Sequence, residues 1–485
     1  MQSYSPPYFN DPRRLVKLQD AFPQIDQMYK AFAKSHNFPS YAYGIILDGQ
    51  LVYSGADGFI DMAQKIPATV HSMYSVASVT KSFTAMAILR LRDEHKLKLD
   101  DPVCQYIPEV EGLKITSDAP PITIRDLLIH TAGFPTDDPW ADRKLGESEE
   151  KLIELLKKGI HFSNAPGCTF EYSNLGYTLL GYIIGKVSGS TYTKFIEQTV
   201  DLKGIKWESS QISDALLAHG YRWMDGNWQE EKLQSNGIFG AMGGMITSVE
   251  TLSQYAAMHQ YAWPPRDDPE SGPLKRSSLR EMHQPWQFRA LSVNQCAEGE
   301  ESIIVNGYGY GLNCLRDAQG RIFIGHSGGL PGFGSNWYIM PEYGIGVVLL
   351  ANLTYAPAYK INLEVLDKLI KTAQLKPWQL PPSKILQERK KDLVQLLPHW
   401  KNVSQTAIFA DNFFLDYPLQ ALQKESKNIF ANIGAITEIG QLIAENQLRG
   451  HFLVSGEKKD LKVCFSLTPA NPSLIQQFQI IEIEK

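Results

Sequence analysis

Tyr74-Ser-Val-Ala-Ser78-Val-Thr-Lys81-Ser-Phe-Thr, residues 74–84, is the most informative stretch of this 485-residue sequence. The apolar spacing from Ser78 to His95 predicts a helix, with Ser78 and Lys81 one turn apart on one face. A serine hydroxyl is a weak nucleophile until a base removes its proton. Lysine can serve as that base when burial or the positive end of a helix lowers its pKa. The stretch therefore predicts an activated serine, although S-x-x-K alone is also typical of a capped surface helix.

A second informative string, Phe170-Glu-Tyr172-Ser-Asn174, follows the turn at Pro166-Gly167 and leads into a predicted helix. A phenol beside an ammonium is a candidate proton relay, because the positive charge lowers the cost of forming the phenolate. The Asn174 amide has both a donor and an acceptor with which to hold a substrate amide. In isolation, a tyrosine packed on the core with its hydroxyl satisfied explains the string better.

The third string is Ile324-Gly-His326-Ser-Gly328-Gly329, on a predicted strand. Glycines at a strand edge permit close approach of another backbone, and an amide N–H there can face an oxyanion. A hairpin turn that needs glycine is the structural alternative.

In this order and at these separations, S-x-x-K, Tyr-Ser-Asn and His-Ser-Gly resemble the serine β-lactamase and penicillin-binding protein superfamily. Within it, the sequence is similar to the class C-type branch of esterases, D-aminopeptidases and D-alanyl-D-alanine carboxypeptidases. The resemblance covers about residues 20–370. It implies that Ser78 is the acylated nucleophile, Lys81 its activating partner and Tyr172 a proton shuttle. It also implies that no metal or organic cofactor takes part.

The same resemblance implies a substrate-binding set and an oxyanion hole. The implied substrate-binding residues are Asn174, His326, Ser327 and Gly328, and the oxyanion hole is formed by the backbone N–H groups of Ser78 and Gly329. The sequence departs from the classical members at His326, where they have lysine. Histidine is mostly neutral near pH 7, so we expect inefficient hydrolysis of penicillins and cephalosporins.

An α+β fold is expected from the order of predicted elements. A hairpin turning at Asp48-Gly49 comes first, helices follow at 78–95, 124–129 and 175–187, and strands are predicted at 307–312, 321–324, 336–340 and 344–350. The N-terminal hairpin and the C-terminal strands should therefore share one antiparallel sheet. The resemblance specifies this as a β-lactamase/transpeptidase-like domain, with helices flanking the sheet and an all-helical part.

We expect three segments along the chain: a hydrolase domain at 1–373, a proline-rich linker at 374–383 and a small β domain at 384–485. Strand-like alternation at 407–415 and 461–467 supports the last of these. Some members of the superfamily carry a lipocalin-like β domain in this position. The aromatic stretch 221–228 and the insertion 263–307 are candidates for lining a substrate cleft.

Composition limits the partners. With 47 lysines and arginines against 52 aspartates and glutamates, the net charge of −5 gives no basic surface for nucleic acid. The apolar runs are shorter than the ~20 residues of a membrane-spanning helix. Five scattered cysteines and the lack of an export leader favour a cytoplasmic protein, unless a leader was removed. The expected partner is a small-molecule or short-peptide substrate, and homo-oligomer formation stays open.

Two other interpretations remain. Gly325-His-Ser327-Gly-Gly329 also matches the G-x-S-x-G elbow of α/β-hydrolases, in which Ser327 would be the nucleophile of an esterase. That interpretation requires a helix directly after the turn, and Leu330-Pro331-Gly332 does not favour one. The other interpretation is a non-catalytic, penicillin-binding-like scaffold.

Overall fold

The computed structural model of the protein describes residues 4–295 and 301–484, which divide into two units. The larger unit is Pro12–Pro377. The smaller unit begins at Trp378, inside the segment predicted as a linker, and includes the described residues before Pro12. Tyr8 joins it by two backbone hydrogen bonds with Gln379. In these described ranges, no helix combines the length and the apolar character needed to cross a bilayer.

The larger unit contains twelve described helices and thirteen described strands. The helices are α1 (Arg14–Gln19), α2 (Phe22–Ser35), α3 (Thr80–Asp93), α4 (Ile124–Leu128), α5 (Asp138–Ala141), α6 (Glu149–Lys158), α7 (Asn174–Ser188), α8 (Tyr192–Val200), α9 (Gly240–Gly243), α10 (Val249–Tyr261), α11 (Arg276–Met282) and α12 (Ala358–Ala373). The strands are β1 (Ser40–Leu47), β2 (Gln50–Asp61), β3 (Ile66–Pro67), β4 (Tyr74–Ser75), β5 (Gly220–Met224), β6 (Asn227–Glu231), β7 (Ile246–Thr247), β8 (Gln287–Gln295), β9 (Glu301–Tyr308), β10 (Asn313–Asp317), β11 (Ile322–Leu330), β12 (Phe333–Met340) and β13 (Ile345–Ala351).

Nine of these strands form one antiparallel sheet in the order β3-β2-β1-β13-β12-β11-β10-β9-β8. The N-terminal hairpin thus pairs with the C-terminal strands through β1 and β13. Asp48 and Gly49 connect β1 to β2 with φ angles of 50° and 77°, as a two-residue hairpin turn requires. This sheet, with helices packed on it, confirms the predicted α+β class.

Both faces of the sheet are buried at β13, which explains the uninterrupted apolar run of this strand. Val348 and Leu350 pack into the core that contains α3 and α7, while Val347 and Leu349 pack against α2 and α12. A strand buried on both faces has no polar positions in its pattern. The sheet is therefore held between two layers of helices.

Two boundaries in the larger unit differ from the sequence prediction. Ser78 lies in a 3₁₀ turn, Ala77–Val79, and the α-helix begins only at Thr80. The strand predicted at 307–312 is wrong in its second half, because β9 ends at Tyr308 and β10 begins at Asn313. Gly309 lies against the carbonyl oxygens of Met282 and Gln284, where a side chain would collide.

The smaller unit contains helices α13 (Lys384–Leu396), α14 (Phe413–Asp416) and α15 (Leu419–Ile433), followed by strands β14 (Ile436–Ile439), β15 (Ile443–Asn446), β16 (Arg449–Gly456), β17 (Asp460–Leu467) and β18 (Ile475–Ile483). Its sheet agrees with the predicted small β domain. The ladder runs β14-β16-β17-β18, with β15 also on β16, and its two ends do not pair with each other as they would in a barrel. The strand predicted at 407–415 is wrong, because this stretch is a loop leading into α14. Its apolar residues Phe409 and Phe413 belong to the core of this unit.

Candidate active site

The Ser78 hydroxyl and the Lys81 amine are in direct contact. Lys81 Nζ lies 2.9 Å from Ser78 Oγ, 2.6 Å from Asn174 Oδ1 and 2.7 Å from the carbonyl oxygen of Met242. As an ammonium, Lys81 uses its three hydrogens on these three acceptors. As a neutral amine, it can keep the two carbonyl-type acceptors and turn its lone pair towards Ser78 Oγ. The arrangement therefore suits a lysine that removes the serine proton.

Burial favours the neutral amine. Lys81 is 0% exposed, and desolvation lowers its pKa from 10.5 to about 8, against the opposing influence of Asp138, Asp142 and Asp137. Removing an ammonium from water is costly unless it is well paired, so the proton is held less tightly than on a surface lysine. Lys81 thus titrates close to neutral pH.

An acidic segment, Asp137 to Asp142, positions the helix that carries Asn174. Asp137 accepts hydrogen bonds from the backbone N–H groups of Asn174 (2.6 Å) and Leu175 (2.9 Å), which are unpaired donors in the first turn of α7. Asn174 Nδ2 donates to Asp138 Oδ1 at 2.8 Å. The Asn174 amide is therefore held on both sides, with its oxygen on Lys81 and its nitrogen on Asp138.

Asp142 is the most deeply buried carboxylate of this segment, with 2% exposed. Tyr355 donates its hydroxyl to Asp142 Oδ2 at 2.7 Å. Burial raises the pKa of Asp142 to about 7, and the negative charge of Asp138 adds to the effect, while the Tyr355 hydrogen bond opposes it. Sequence reasoning missed the whole segment. Three aspartates in six residues, shortly before the Tyr-Ser-Asn string, were the available signal.

The Tyr172 ring lies next to Lys81. Lys81 Nζ is 5.0 Å from the ring centroid. Burial raises the pKa of Tyr172 well above 10, with a further contribution from Asp138, and the hydrogen bond with Ser78 only partly offsets this. Burial therefore favours the neutral phenol in the resting site, and the proton relay through Tyr172 stays a prediction. Tyr172 is a phenol that can donate a proton.

His130 packs behind Tyr172, with ring centroids 4.3 Å apart. The backbone N–H of Ser173 donates to His130 Nδ1 at 3.0 Å, so the proton is on Nε2. Burial, followed by the charge of Lys81, lowers the pKa of His130 well below 6.5. This neutral ring fixes the loop that leads from Tyr172 into α7.

His326, on β11, is also neutral. Its Nδ1 donates to the carbonyl oxygen of Ser327 at 2.6 Å, so Nε2 accepts the hydroxyl of Tyr308 at 2.9 Å. Burial, then the charge of Lys81, lowers the pKa of His326 to about 3. The strand places no permanent cation where the classical relatives have lysine.

Gly328 lies where β11 meets the turn that carries the nucleophile. A methyl group on Gly328 would collide with the carbonyl oxygen of Val76, two residues before Ser78. The glycine is thus needed for close approach of two backbones. The same strand argues against an elbow, since Ser327 lies within β11 and the chain continues into β12 rather than into a helix.

One cavity, of about 830 Å³, joins most of the predicted site residues. Its walls include Ser78, Tyr172, His326, Ser327, Gly328 and Gly329. Lys81 and Asn174 are not on the wall and lie behind Ser78 as buried residues. The charged wall residues are Asp138, Asp142, Glu171, Arg289 and Lys360. Part of the 263–307 insertion lines the cavity, but the described wall contains no residue of 221–228.

Comparisons with known proteins agree with the fold described above. A family model described as beta-lactamase matches residues 25–370. Protein flp of Staphylococcus aureus is 26% identical over 361 residues, which are 72% of this chain, and the chain spans only 65% of the length of that curated relative.

Two solved structures share the fold at low identity. The octameric penicillin-binding protein homologue from Pyrococcus abyssi has a TM-score of 0.61 at 21% identity and covers 96% of both chains. EstCE1, described as a hydrolase with promiscuous acyltransferase activity, has a TM-score of 0.57 at 20% identity, over 73% of this chain and 99% of its own.

Proposed function

This chain belongs to the beta-lactamase family, and from that membership and the geometry of its site we propose that it is a serine hydrolase that forms an acyl-enzyme on Ser78. The observation that carries the proposal is the buried Lys81 amine, with its Nζ 2.9 Å from Ser78 Oγ and two carbonyl-type acceptors holding it there.

Acylation begins when the neutral Lys81 amine accepts the proton of Ser78 Oγ as that oxygen attacks the substrate carbonyl carbon. The carbonyl oxygen becomes an oxyanion, which the backbone N–H groups of Ser78 and Gly329 stabilise. One such donor is typically worth about 3 to 4 kcal/mol in the transition state. The tetrahedral intermediate then collapses to the ester of Ser78.

Tyr172 protonates the leaving group in this scheme. Its phenol is protonated in the resting site, because burial raises its pKa well above 10. The proton that it donates is replaced from the Lys81 ammonium beside it. In deacylation, a water molecule attacks the carbonyl carbon of the ester. Tyr172 and Lys81 transfer a proton from this water to Ser78 Oγ as that oxygen leaves.

The proposed substrates are esters, amides or short peptides, including peptides that contain a D-residue, as for D-aminopeptidases, carboxypeptidases and esterases. The neutral His326 supports poor turnover of penicillins and cephalosporins, since these substrates carry a carboxylate that a lysine would bind. The predicted contact of Asn174 with the acyl side of the substrate would require a movement of the cavity wall, because the Asn174 side chain is fully buried behind Ser78.

Labelling with a fluorophosphonate or a fluorescent penicillin, read by intact-protein mass, tests the proposal. We expect one adduct on the parent protein, no adduct on Ser78→Ala and an adduct on Ser327→Ala. Loss of the adduct only in Ser327→Ala would favour the elbow interpretation. A folded parent protein without any adduct would favour the scaffold. Turnover of D-amino-acid amides, D-Ala-D-Ala peptides, p-nitrophenyl esters and a chromogenic cephalosporin would then rank the substrates.

Assembly into a homo-oligomer has one supporting observation. The Pyrococcus abyssi relative, which the chain matches over 96% of both lengths, is described as octameric. Light scattering of the purified protein would measure the mass of any assembly, and a monomeric mass would contradict it.

A further inference from the structure

Asn336 is a fully buried amide on strand β12. It lies directly opposite Ser327 of β11, and the residue is 0% exposed. Tyr338 and Met340, on the same face of β12, belong to the core that packs against α2 and α12. Burying an amide is costly unless its donors and its acceptor are paired, so the contacts of Asn336 indicate what the residue does.

A chain of three hydrogen bonds connects Asn336 to the cavity wall on one side and to two helices on the other. Asn336 Nδ2 donates to Ser327 Oγ at 3.1 Å. Asn362 Nδ2, on α12, donates to Asn336 Oδ1 at 2.7 Å, and the hydroxyl of Tyr29, on α2, donates to Asn362 Oδ1 at 2.8 Å. Asn362 and Tyr29 are 0% and 1% exposed. Since Ser327 lines the cavity, the chain runs from the core to the cavity wall.

Backbone carbonyl groups fix the direction of this chain. Asn336 Nδ2 lies 3.3 Å from the carbonyl oxygen of His326, and Asn362 Nδ2 lies 3.3 Å from the carbonyl oxygen of Asn336. Exchanging the oxygen and nitrogen of either amide would place two oxygens together without a hydrogen between them. A buried network in which every amide is paired favours one arrangement. Ser327 Oγ is therefore an acceptor on the side that faces Asn336.

This acceptor role determines where the hydrogen of the Ser327 hydroxyl points. The hydroxyl has one hydrogen to donate, and Asn336 Nδ2 occupies one side of its oxygen. The hydrogen is therefore directed to the other side, along the cavity wall. Tyr338, on the same wall, is a competing acceptor: burial raises its pKa to about 12, and hydrogen bonding from Ser327 and Asn336 opposes part of this rise.

We propose that Asn336, held by Asn362, is a positioning residue of the proposed hydrolase, and that it orients the Ser327 hydroxyl as a hydrogen-bond donor to the substrate. The inference rests on the proposed function, because it assumes turnover at Ser78 with Ser327 in contact with the substrate. Asn336 is not among the described residues of the cavity wall, so it acts through Ser327. A donor that is already oriented loses less freedom when the substrate binds.

A double-mutant cycle of Ser327→Ala and Asn336→Leu tests this coupling. Asn336→Leu keeps a side chain of similar shape and removes both hydrogen-bonding groups. The substrates are p-nitrophenyl acetate and D-alanine p-nitroanilide, for which release of the chromophore gives kcat and KM. We expect Asn336→Leu to reduce kcat/KM about three- to tenfold when Ser327 is present, as for loss of one hydrogen bond. In the Ser327→Ala background, Asn336→Leu should have no further effect on kcat/KM.

Two further variants separate positioning from stability. Asn362→Leu removes the donor to Asn336 Oδ1 and should reduce kcat/KM less than Asn336→Leu does, again only when Ser327 is present. Asn352→Leu removes another amide that is 0% exposed, and should lower the melting temperature but keep kcat/KM. The hydrogen-bond partners of Asn352, none of which lies on the described cavity wall, are Ser40, Phe59 and His219.

The outcomes separate this inference from the proposed function. An equal loss from Asn336→Leu with and without Ser327 overturns the inference alone, as does a parental kcat/KM in Ser327→Ala or in Asn336→Leu. A loss in Asn352→Leu as large as that in Asn336→Leu also overturns it, because destabilisation would then be responsible.

Two remaining cases are decided in the same way. If Asn336→Leu does not fold, the cycle of Ser327→Ala with Asn362→Leu carries the test. A parent protein that takes the label on Ser78 but hydrolyses neither substrate overturns the inference, because the oriented donor then serves no turnover. If Ser78 takes no label and neither substrate is hydrolysed, the proposed function fails and the inference fails with it.

Discussion

The charge of Asp142 should control the pH at which Ser78 becomes reactive. Desolvation lowers the pKa of Lys81 from 10.5 to about 8, a difference of about 3 kcal/mol at 1.36 kcal/mol for each unit. At pH 7, about one tenth of the lysine is then neutral, against about 0.03% for an unperturbed amine. The site therefore gains a factor of about 300 in the concentration of the base.

The rate of Ser78 acylation should rise with pH. Only the neutral amine accepts the Ser78 proton, so the rate of acylation should rise about tenfold from pH 6 to pH 7 and level off above pH 8. Asp138 and then Asp142 oppose the loss of the Lys81 proton, since their negative charges raise the lysine pKa. Because burial raises the pKa of Asp142 itself to about 7, its charge acts mainly at and above pH 7. Asp142→Asn removes that charge with little change of shape. The rising part of the pH–rate profile should move to lower pH. The rate at pH 7 should increase by at most about tenfold, because the neutral fraction of Lys81 can rise only from about one tenth to one.

The assay is the rate of fluorophosphonate labelling of Ser78, measured by intact-protein mass between pH 6 and pH 10. Asp225→Asn, on the exposed turn between β5 and β6, is the matched control and should not change the pH at which the labelling rate rises. If the labelling rate of Asp142→Asn rises at the same pH as that of the parent, or at a higher pH, the electrostatic reasoning is refuted. A profile without any rise between pH 6 and pH 8 would refute the assignment of Lys81 as the base.

Two further predictions concern packing and acid stability. Gly328→Ala should reduce both labelling of Ser78 and the melting temperature, because the added methyl group would collide with the carbonyl oxygen of Val76. Gly272→Ala should change neither, since the atom nearest to its added methyl group would be 3.5 Å away. Equal effects of the two substitutions would contradict the packing argument. His259 is buried, and desolvation lowers its pKa to about 3, so the unfolded chain binds more protons between pH 3 and pH 6.5. The free energy of unfolding should therefore fall as the pH drops through this range, by about 2 kcal/mol at pH 5 from His259 alone. Urea denaturation at pH 7.5 and pH 5 should show a smaller difference for His259→Gln than for the parent, whereas the exposed His161→Gln should keep it; an unchanged difference in His259→Gln would rule out this source.

The sequence predicted the parts of the fold that local patterns determine. The helix after Ser78 and the hairpin at Asp48-Gly49 follow from periodicity and turn residues. The helices α13 and α15 were missed, although Leu386, Leu393 and Leu396 have helical spacing. The strand-like alternation at 407–415 and 461–467 led instead to the prediction of a small β domain.

The site shows the same division between local and distant information. The meeting of Ser78, Lys81, Tyr172 and Asn174 was expected from motif order, and the structure brings them into contact. The contacts of Asn336 could not be predicted, because they depend on the pairing of β11 with β12 and on the packing of α12 against them. The raised pKa of Tyr172 could not be predicted either, since the burial of its phenol depends on residues from several distant elements.

The central position of β1 has a consequence for how the protein is made. Its neighbour β13 is encoded about 300 residues later, so at ~5–20 residues per second a ribosome needs roughly 15–60 s to deliver it. During that interval the edge of β1 that will pair with β13 has no partner strand, although β1 is paired on both edges in the folded protein. We expect nascent chains that have not reached residue 351 to depend on chaperones, and the proposed hydrolase activity to appear only late in translation.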